Sequence, residues 1–145
     1  MAPLRSILLI DDSTDDNFIH ATWLERTGAV ASHSDIFIRE NGQEALAFLR
    51  DWEENQAALG ERFPPDLILL DINMPVLDGF GFLEALEKLS LDIDSVVMLM
   101  LTSSNSRRDK ERAERFPWVR GYIEKPLTRK KIRHILEEHF PEQAD

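Results

Sequence analysis

The chain of 145 residues has the length of one domain, and 43% of it is hydrophobic, which allows a packed core and argues against wholesale disorder. Its formal charge of −10 disfavours a free-standing DNA-binding protein, and the lack of cysteine excludes disulfides, thiolate metal sites and thiol catalysis. The longest apolar run, residues 96–101, is too short to span a membrane, and the N-terminus lacks the apolar stretch of a signal peptide. We therefore expect one soluble, cytoplasmic domain over residues 1–145.

Short apolar runs alternate with longer segments along the chain. The runs predict strands at residues 7–10, 36–38, 67–70, 96–101 and 121–123. Near-continuous apolar strands flanked by helices are typical of a parallel sheet that is buried on both faces. Helical spacing after the first, second, third and fifth runs, and the charged residues 105–116 after the fourth, predict five helices. The apolar positions of the four spaced helices are Phe18, Ile19, Trp23 and Leu24, then Ala45, Phe48 and Leu49, then Phe82, Leu83, Leu86 and Leu89, and last Ile132, Ile135 and Leu136. We expect an α/β domain with a doubly wound, five-stranded parallel sheet and five helices.

Two segments fall outside this alternation. Residues 55–66 contain Gly60, Pro64 and Pro65 and predict a long loop between the second helix and the third strand. It is interpreted either as a surface insertion that the fold tolerates or as a mobile loop that contacts a partner. Residues 141–145 are expected to form a frayed tail.

Acidic residues directly follow two of the predicted strands. Asp11 and Asp12 come after the first run, and Asp71 comes after the third. In an open α/β sheet, ligands bind beyond the carboxyl ends of the strands, so adjacent strands would bring three carboxylates into one pocket. Such carboxylates repel one another unless a hard cation neutralises them. Oxygen ligands without cysteine or paired histidine favour Mg²⁺ or Mn²⁺ over zinc.

The fourth and fifth strands end in complementary chemistry. Hydroxyl side chains run from Thr102 to Ser104 after the fourth strand, and Lys125 follows the fifth. Carboxylates with a divalent cation, a hydroxyl donor and an ammonium group are what a site needs to handle a phosphoryl group. Each residue alone has a structural explanation, since acids after strands often cap helices, and Thr14 or Asp15 could cap the first helix. The combination predicts phosphoryl chemistry.

These residues resemble the receiver domain of two-component response regulators, and the resemblance covers essentially the whole chain. The resemblance implies the flavodoxin-like strand order 2-1-3-4-5. Because the chain stops after the fifth predicted helix, it is similar to the single-domain, chemotaxis-regulator-like members of that family. The markers are the Asp11–Asp12 pair, residues 70–79 (Leu-Asp-Ile-Asn-Met-Pro-Val-Leu-Asp-Gly), the Thr102–Ser103 pair and residues 122–126 (Tyr-Ile-Glu-Lys-Pro).

The resemblance implies roles for the acidic residues. Asp71 is expected to be the phosphoacceptor, which attacks a phosphohistidine on a sensor histidine kinase or a histidine phosphotransferase. Asp12 is expected to bind Mg²⁺ (or Mn²⁺ in its place) directly, Asp11 mainly through water, and Asn73 through its backbone carbonyl. Asp71 is also expected among the metal-binding residues. Asn73 and Ser104 lie at positions where the family tunes the lifetime of the aspartyl phosphate.

The resemblance also implies how the site switches. Lys125 is expected to pair with the Asp71 carboxylate and later with the phosphoryl oxygens, and Thr102 to donate its hydroxyl to the phosphoryl group. Tyr122 is expected to turn inward as Thr102 moves. The family's cis peptide bond would lie between Lys125 and Pro126.

Partner surfaces are suggested by the distribution of charge. Residues 105–133 carry 11 basic and four acidic side chains in a chain of net charge −10. This basic segment is interpreted either as a solvated helical face or as a surface for a target protein or a homodimer. Neither nucleic acid nor a membrane is expected as a partner. The output is either a binding event or a relay of the phosphoryl group onward to a histidine phosphotransferase.

Two other functions compete with the signalling switch. A Mg²⁺-dependent phosphohydrolase would also form an aspartyl phosphate, but such enzymes generally need a second carboxylate two residues after the nucleophile, where this chain has Asn73. A binding module without the chemistry would be expected to lose part of the acidic and basic set, which is intact here. We therefore expect no enzyme, only a domain that promotes its own phosphorylation and dephosphorylation.

Overall fold

The five expected strands form one parallel sheet. The computed structural model describes residues 3–103 and 106–142. The strands are β1 (Ile7–Ile10), β2 (Ile36–Arg39), β3 (Leu67–Asp71), β4 (Val97–Thr102) and β5 (Val119–Glu124). Their spatial order is β2-β1-β3-β4-β5, and every neighbouring pair is parallel. The predicted class, a doubly wound α/β domain with strand order 2-1-3-4-5, is confirmed.

The described residues contain six α-helices, where five were predicted. They are α1 (Thr14–Arg26), α2 (Gly42–Arg50), α3 (Trp52–Leu59), α4 (Gly79–Lys88), α5 (Arg107–Ala113) and α6 (Arg129–His139), with short 3₁₀ helices at His33–Asp35 and Gly60–Arg62. No helix in this part of the chain is long and apolar enough to cross a membrane. Pro141 and Glu142 form a turn, and the last three residues of the predicted tail lie outside the described ranges.

The additional helix, α3, corrects the prediction of a loop over residues 55–66. Asp51 is both the residue that ends α2 and the residue that precedes α3, so no turn signal separates the two helices in the sequence. No residue of α3 is fully buried, and only Trp52 and Leu59 of it pack against a core. It therefore lacks the dense apolar repeat by which four of the five helices were predicted. Helix-favouring alanine, glutamate and glutamine side chains account for its formation instead.

The start of α1 also differs from the prediction. Ser13, rather than Thr14 or Asp15, caps this helix, and its side-chain oxygen accepts a hydrogen bond from the Asp16 N–H at 3.1 Å. A serine hydroxyl in this position satisfies one of the backbone donors that a helix leaves unpaired at its start. The helix therefore begins directly beside the end of β1.

Alternate residues of the strands face two separate cores. Leu8 and Ile68 belong to one core, which α2 and α4 cover through large apolar side chains such as Phe82. Leu9 and Leu69 belong to the other core, which α1 and α6 cover. Since side chains alternate along a strand, each strand supplies both cores, and the sheet is buried on both faces.

Hydrogen bonds of the sheet continue past the strand ends and fix the backbone there. The Asp11 N–H donates to the Arg39 carbonyl at 3.1 Å, and the Lys125 N–H donates to the Thr102 carbonyl at 2.7 Å. Asp71 is the last residue of β3 and pairs in register with Leu101. The polar side chains that follow β1, β3, β4 and β5 are therefore held at one edge of the sheet.

Gly79 provides a test of how tightly that edge is packed. A Cβ at Gly79 would lie 2.7 Å from the Asp71 carbonyl oxygen and 2.9 Å from the Ile72 Cα, both backbone atoms that cannot turn away. At Gly81, on the same turn of α4, the nearest atom is a Leu77 side-chain methyl carbon, which can move. We expect Gly79→Ala to lower the free energy of unfolding by about 1–3 kcal/mol and Gly81→Ala to change it by less than about 1 kcal/mol.

Urea unfolding followed by circular dichroism measures both glycine variants. Equal free energies of unfolding for the two variants would contradict this account of the packing.

Candidate functional site

Three carboxylates meet at the carboxyl edge of the sheet. Asp11 and Asp12 follow β1, and Asp71 ends the neighbouring strand β3. One oxygen atom from each residue lies within 4.8 Å of the other two. Asp11 and Asp71 are buried and Asp12 is exposed, so the group opens to solvent on one side. The structure thus brings together the three carboxylates that the sequence pattern placed in one pocket, and their oxygens suit a hard divalent cation.

Lys125 lies at the centre of the buried acids. Its Nζ is 2.7 Å from Asp11 Oδ2, 3.0 Å from Asp16 Oδ2 and 3.4 Å from Asp71 Oδ1. Burial acts to lower the pKa of Lys125, but hydrogen bonds to Asp11 and Asp16 and the charge of Asp71 outweigh it and raise the pKa above its ordinary value. The ammonium group is therefore charged at neutral pH and neutralises part of the cluster.

Asp71 has the most perturbed carboxyl group of the site. Burial, together with the charge of Asp11, raises the pKa of Asp71 to about 6. Lys125 and a backbone hydrogen bond from Asn73 act in the opposite direction but do not cancel the shift. The ionised form of Asp71 is consequently disfavoured in the site, and an added cation would stabilise it.

Neighbouring polar groups orient Asp11. Its Oδ1 accepts a hydrogen bond from the Ser13 N–H at 3.0 Å, and its backbone carbonyl accepts one from Asn17 Nδ2 at 2.8 Å. The second Asp11 oxygen, Oδ2, is the one that faces Lys125. One side of this carboxylate is thus occupied by the start of α1, and the other is turned toward the site.

The other predicted site residues that the structure describes are Thr102, Tyr122, Asn73 and Pro126. Thr102 is fully buried at the end of β4, and its carbonyl accepts the Lys125 N–H. The peptide bond between Lys125 and Pro126 is cis. Tyr122 is half-buried on β5, with Lys110 Nζ 5.6 Å from the centre of its ring. Asn73 is exposed at the rim, and the predicted lifetime-tuning residue Ser104 lies outside the described residues.

Asp16 is the site residue that the sequence reasoning missed. It lies in the first turn of α1, and its contact with Lys125 joins residues that are 109 positions apart in the chain. Its only local signal is its position three residues after the capping Ser13, where an acidic side chain usually serves the helix start. Three carboxylates, those of Asp11, Asp16 and Asp71, thus surround one lysine.

A five-stranded parallel sheet with these carboxylates and one lysine at its carboxyl edge is the pattern of a known class of protein, and relatives of this chain belong to it. Residues 7–137 match the family model of the response regulator receiver domain. Protein PilH of Pseudomonas aeruginosa is 27% identical over 86% of this chain and 88% of its own length. Response regulator Rcp1 of Synechocystis is 33% identical over 74% of this chain and 67% of its own length.

A solved structure agrees with the sequence matches. The two component response regulator from Cytophaga hutchinsonii is 26% identical, with a TM-score of 0.82 over 96% of this chain and 98% of that one. The chain spans only 52% of the probable C4-dicarboxylate response regulator DctR of Halalkalibacterium halodurans, to which it is 25% identical. The chain belongs to the response regulator receiver family of two-component signalling, whose members interact with histidine kinases.

The raised pKa of Asp71 predicts how stability changes with pH. An aspartate carboxyl group has an ordinary pKa of 3.8, whereas the pKa of Asp71 in the folded protein is about 6. Its contribution to folding is therefore complete below pH 3.8 and is lost as the pH rises through 6. Asp71→Asn has no carboxyl group to ionise at this position, so it does not lose stability in this way as the pH rises. In buffer without divalent cations, we expect the variant to gain about 2–3 kcal/mol over the wild type between pH 4 and pH 7.5.

Urea unfolding of Asp71→Asn at the two pH values checks this expectation, with Asp94→Asn as the control because Asp94 is exposed and far from the site in the chain. The same difference between variant and wild type at both pH values would contradict it. Added Mg²⁺ is expected to narrow the difference at pH 7.5, since a ligand that binds the folded wild type stabilises it.

Proposed function

We propose that this receiver domain is a phosphoryl-accepting switch. Asp71 takes a phosphoryl group from the phosphohistidine of a sensor histidine kinase or a histidine phosphotransferase, with Mg²⁺, or Mn²⁺ in its place, as cofactor. The observation that carries the proposal is the convergence of Asp11, Asp12 and Asp71 within 4.8 Å, with Lys125 Nζ 3.4 Å from Asp71. Phosphoryl transfer depends mainly on positioning and on compensation of negative charge, and this group of residues offers both.

The transfer step begins with the Asp71 carboxylate, which is mostly ionised at neutral pH because its pKa is about 6. A carboxylate oxygen attacks phosphorus in line with the departing nitrogen. The new O–P bond forms as the P–N bond breaks, and the electron pair of the broken bond stays on the imidazole nitrogen. Asp11, Asp12 and Asp71 would hold the divalent cation, which supplies positive charge to the phosphoryl oxygens. Lys125 supplies the second positive charge.

The switch uses the ends of β4 and β5. In the phosphorylated state, Lys125 and the Thr102 hydroxyl bind phosphoryl oxygens. The direct backbone hydrogen bond between the two residues, 2.7 Å long, supports their movement as a unit. Tyr122 turns inward as Thr102 moves, which changes the surface of β5.

The output surface includes part of the basic segment. A groove of about 590 Å³ between β5 and α6 is lined by Tyr122 and Ile123 and by the basic residues Lys130, Lys131 and Arg133. Other basic residues contact the protein itself, as Arg112 does above the Phe80 ring at 4.0 Å. This groove is the part of the segment that best suits a target protein or a second copy of the chain. Relay of the phosphoryl group to a histidine phosphotransferase is the other output.

The chemistry is confined to the domain's own phosphorylation and dephosphorylation. The residue two positions after Asp71 is Asn73, so the chain has no carboxylate there to act as acid and base on a free phosphomonoester. Because kinases draw on cytoplasmic ATP, the proposal places the domain in the cytoplasm.

Intact mass spectrometry tests the proposed phosphoacceptor. After incubation with acetyl phosphate, the wild type is expected to gain one phosphoryl group in Mg²⁺ and none in excess EDTA. Asp71→Asn is expected to gain none in either buffer, because the attacking oxygen is replaced by an amide. The control Asp94→Asn changes an exposed residue outside the cluster of Asp11, Asp12 and Asp71. It is expected to take up the phosphoryl group as the wild type does.

Two outcomes would contradict the proposal. Labelling of a folded Asp71→Asn protein would assign the phosphoacceptor to another residue. A wild type that takes up nothing from acetyl phosphate, phosphoramidate or a panel of phosphorylated histidine kinases would favour a binding module without the chemistry.

A further inference from the structure

Three carboxylates compete for the ammonium group of Lys125 in the structure. An ammonium group carries three N–H bonds, and three carboxylates, those of Asp11, Asp16 and Asp71, lie within 3.4 Å of its Nζ. The Lys125 side chain is only 13% exposed, so water has little access to it. A phosphoryl oxygen on Asp71 therefore has to compete with these carboxylates for the lysine.

The Asp16 carboxylate can contact Lys125 because it does not hydrogen-bond to the backbone of the capping residue at the helix start. An acidic side chain three residues after a capping serine commonly bonds back to the serine N–H. Here the Ser13 N–H donates to Asp11 Oδ1 at 3.0 Å instead, while Ser13 Oγ accepts the Asp16 N–H. The Asp16 carboxylate is consequently turned across the site toward Lys125, with 3.0 Å between Asp16 Oδ2 and Nζ.

The three contacts of Lys125 differ in what phosphorylation does to them. The Asp71 carboxylate loses its charge when it becomes an acyl phosphate, while the phosphoryl group adds about two negative charges beyond it. Asp11 would share its charge with the cation. Neither event involves Asp16, which keeps its full charge and its hold on Lys125. Asp16 is also 39% exposed, so its contact with Lys125 is open to water and can be broken and re-formed.

We propose that Asp16 is a positioning residue that holds Lys125 in the unphosphorylated arrangement, in competition with the phosphoryl group on Asp71. The inference rests on the proposed function. Asp16 contacts Lys125 and not the reacting atoms, so it acts through the lysine. By stabilising only the state before transfer, it slows the gain of the phosphoryl group and weakens its retention.

The test compares three variants at saturating Mg²⁺. Asp16→Asn removes the charge that competes for Lys125, and Asp16→Glu keeps it. Asp15→Asn is the matched control, because Asp15 is exposed on the same turn and its loss has the same effect on the start of α1. The measurements are the initial rate of labelling by acetyl phosphate and the affinity for beryllium fluoride, a phosphoryl mimic, by calorimetry.

We expect Asp16→Asn to label about twofold to fivefold faster than the wild type and to bind beryllium fluoride more tightly by a similar factor. Asp15→Asn is expected to match the wild type, and Asp16→Glu to return at least part of the way to it. A merely structural residue would not raise affinity for the mimic when it is removed.

Two kinds of result would overturn the inference. If the wild type labels on Asp71 but Asp16→Asn is slower than, or equal to, Asp15→Asn in both measurements, the inference fails and the proposed function stands. If the wild type takes up no phosphoryl group from any donor, the proposed function fails and the inference fails with it.

Discussion

The structure of the site depends on the ammonium group of Lys125. Asp11 and Asp71 are both buried, and two buried carboxylates at this distance repel strongly unless a positive charge lies between them. Lys125 Nζ contacts both, at 2.7 Å and 3.4 Å. Its compensation is incomplete, since burial and the charge of Asp11 still raise the pKa of Asp71 to about 6. The remaining negative charge is what would draw a divalent cation to the site.

The order of the strands makes that arrangement possible. The adjacent positions of β1 and β3 place Asp11 and Asp71 next to each other. Both strands are apolar up to these acids because helices cover both faces of the sheet. Lys125 follows β5, which lies two strands away from β3, and its backbone N–H donates a hydrogen bond to the Thr102 carbonyl. The polar groups therefore rest on backbone that the sheet holds, and little of their placement depends on flexible loops.

The sequence predicted the parts of the molecule that follow from burial. A strand covered on both faces reads as a continuous apolar run, and for this reason the predicted and observed limits of β1 coincide at residues 7–10. The helix α3 was missed because its exposed side chains carry no apolar repeat and because Asp51 joins it directly to α2. Asp16 was missed for a different reason. Its contact with Lys125 depends on where α1 starts and on which donor Asp11 satisfies, and neither can be deduced from spacing when the partners are 109 residues apart.

The same charges that destabilise the isolated site would also drive the proposed switching. An excess of carboxylates over ammonium groups means that the arrangement of Lys125 is a compromise among competing acids and not a single optimal ion pair. A change in the charge at Asp71 alters the balance among these contacts. When the contact with one acid weakens, the contacts with the others determine where the lysine moves. Since the Lys125 backbone is hydrogen-bonded to the end of β4 and continues from β5, a shift of this lysine acts on both strands at once. The charge change proposed at Asp71 would in this way reach the groove that Tyr122 and α6 line beside β5.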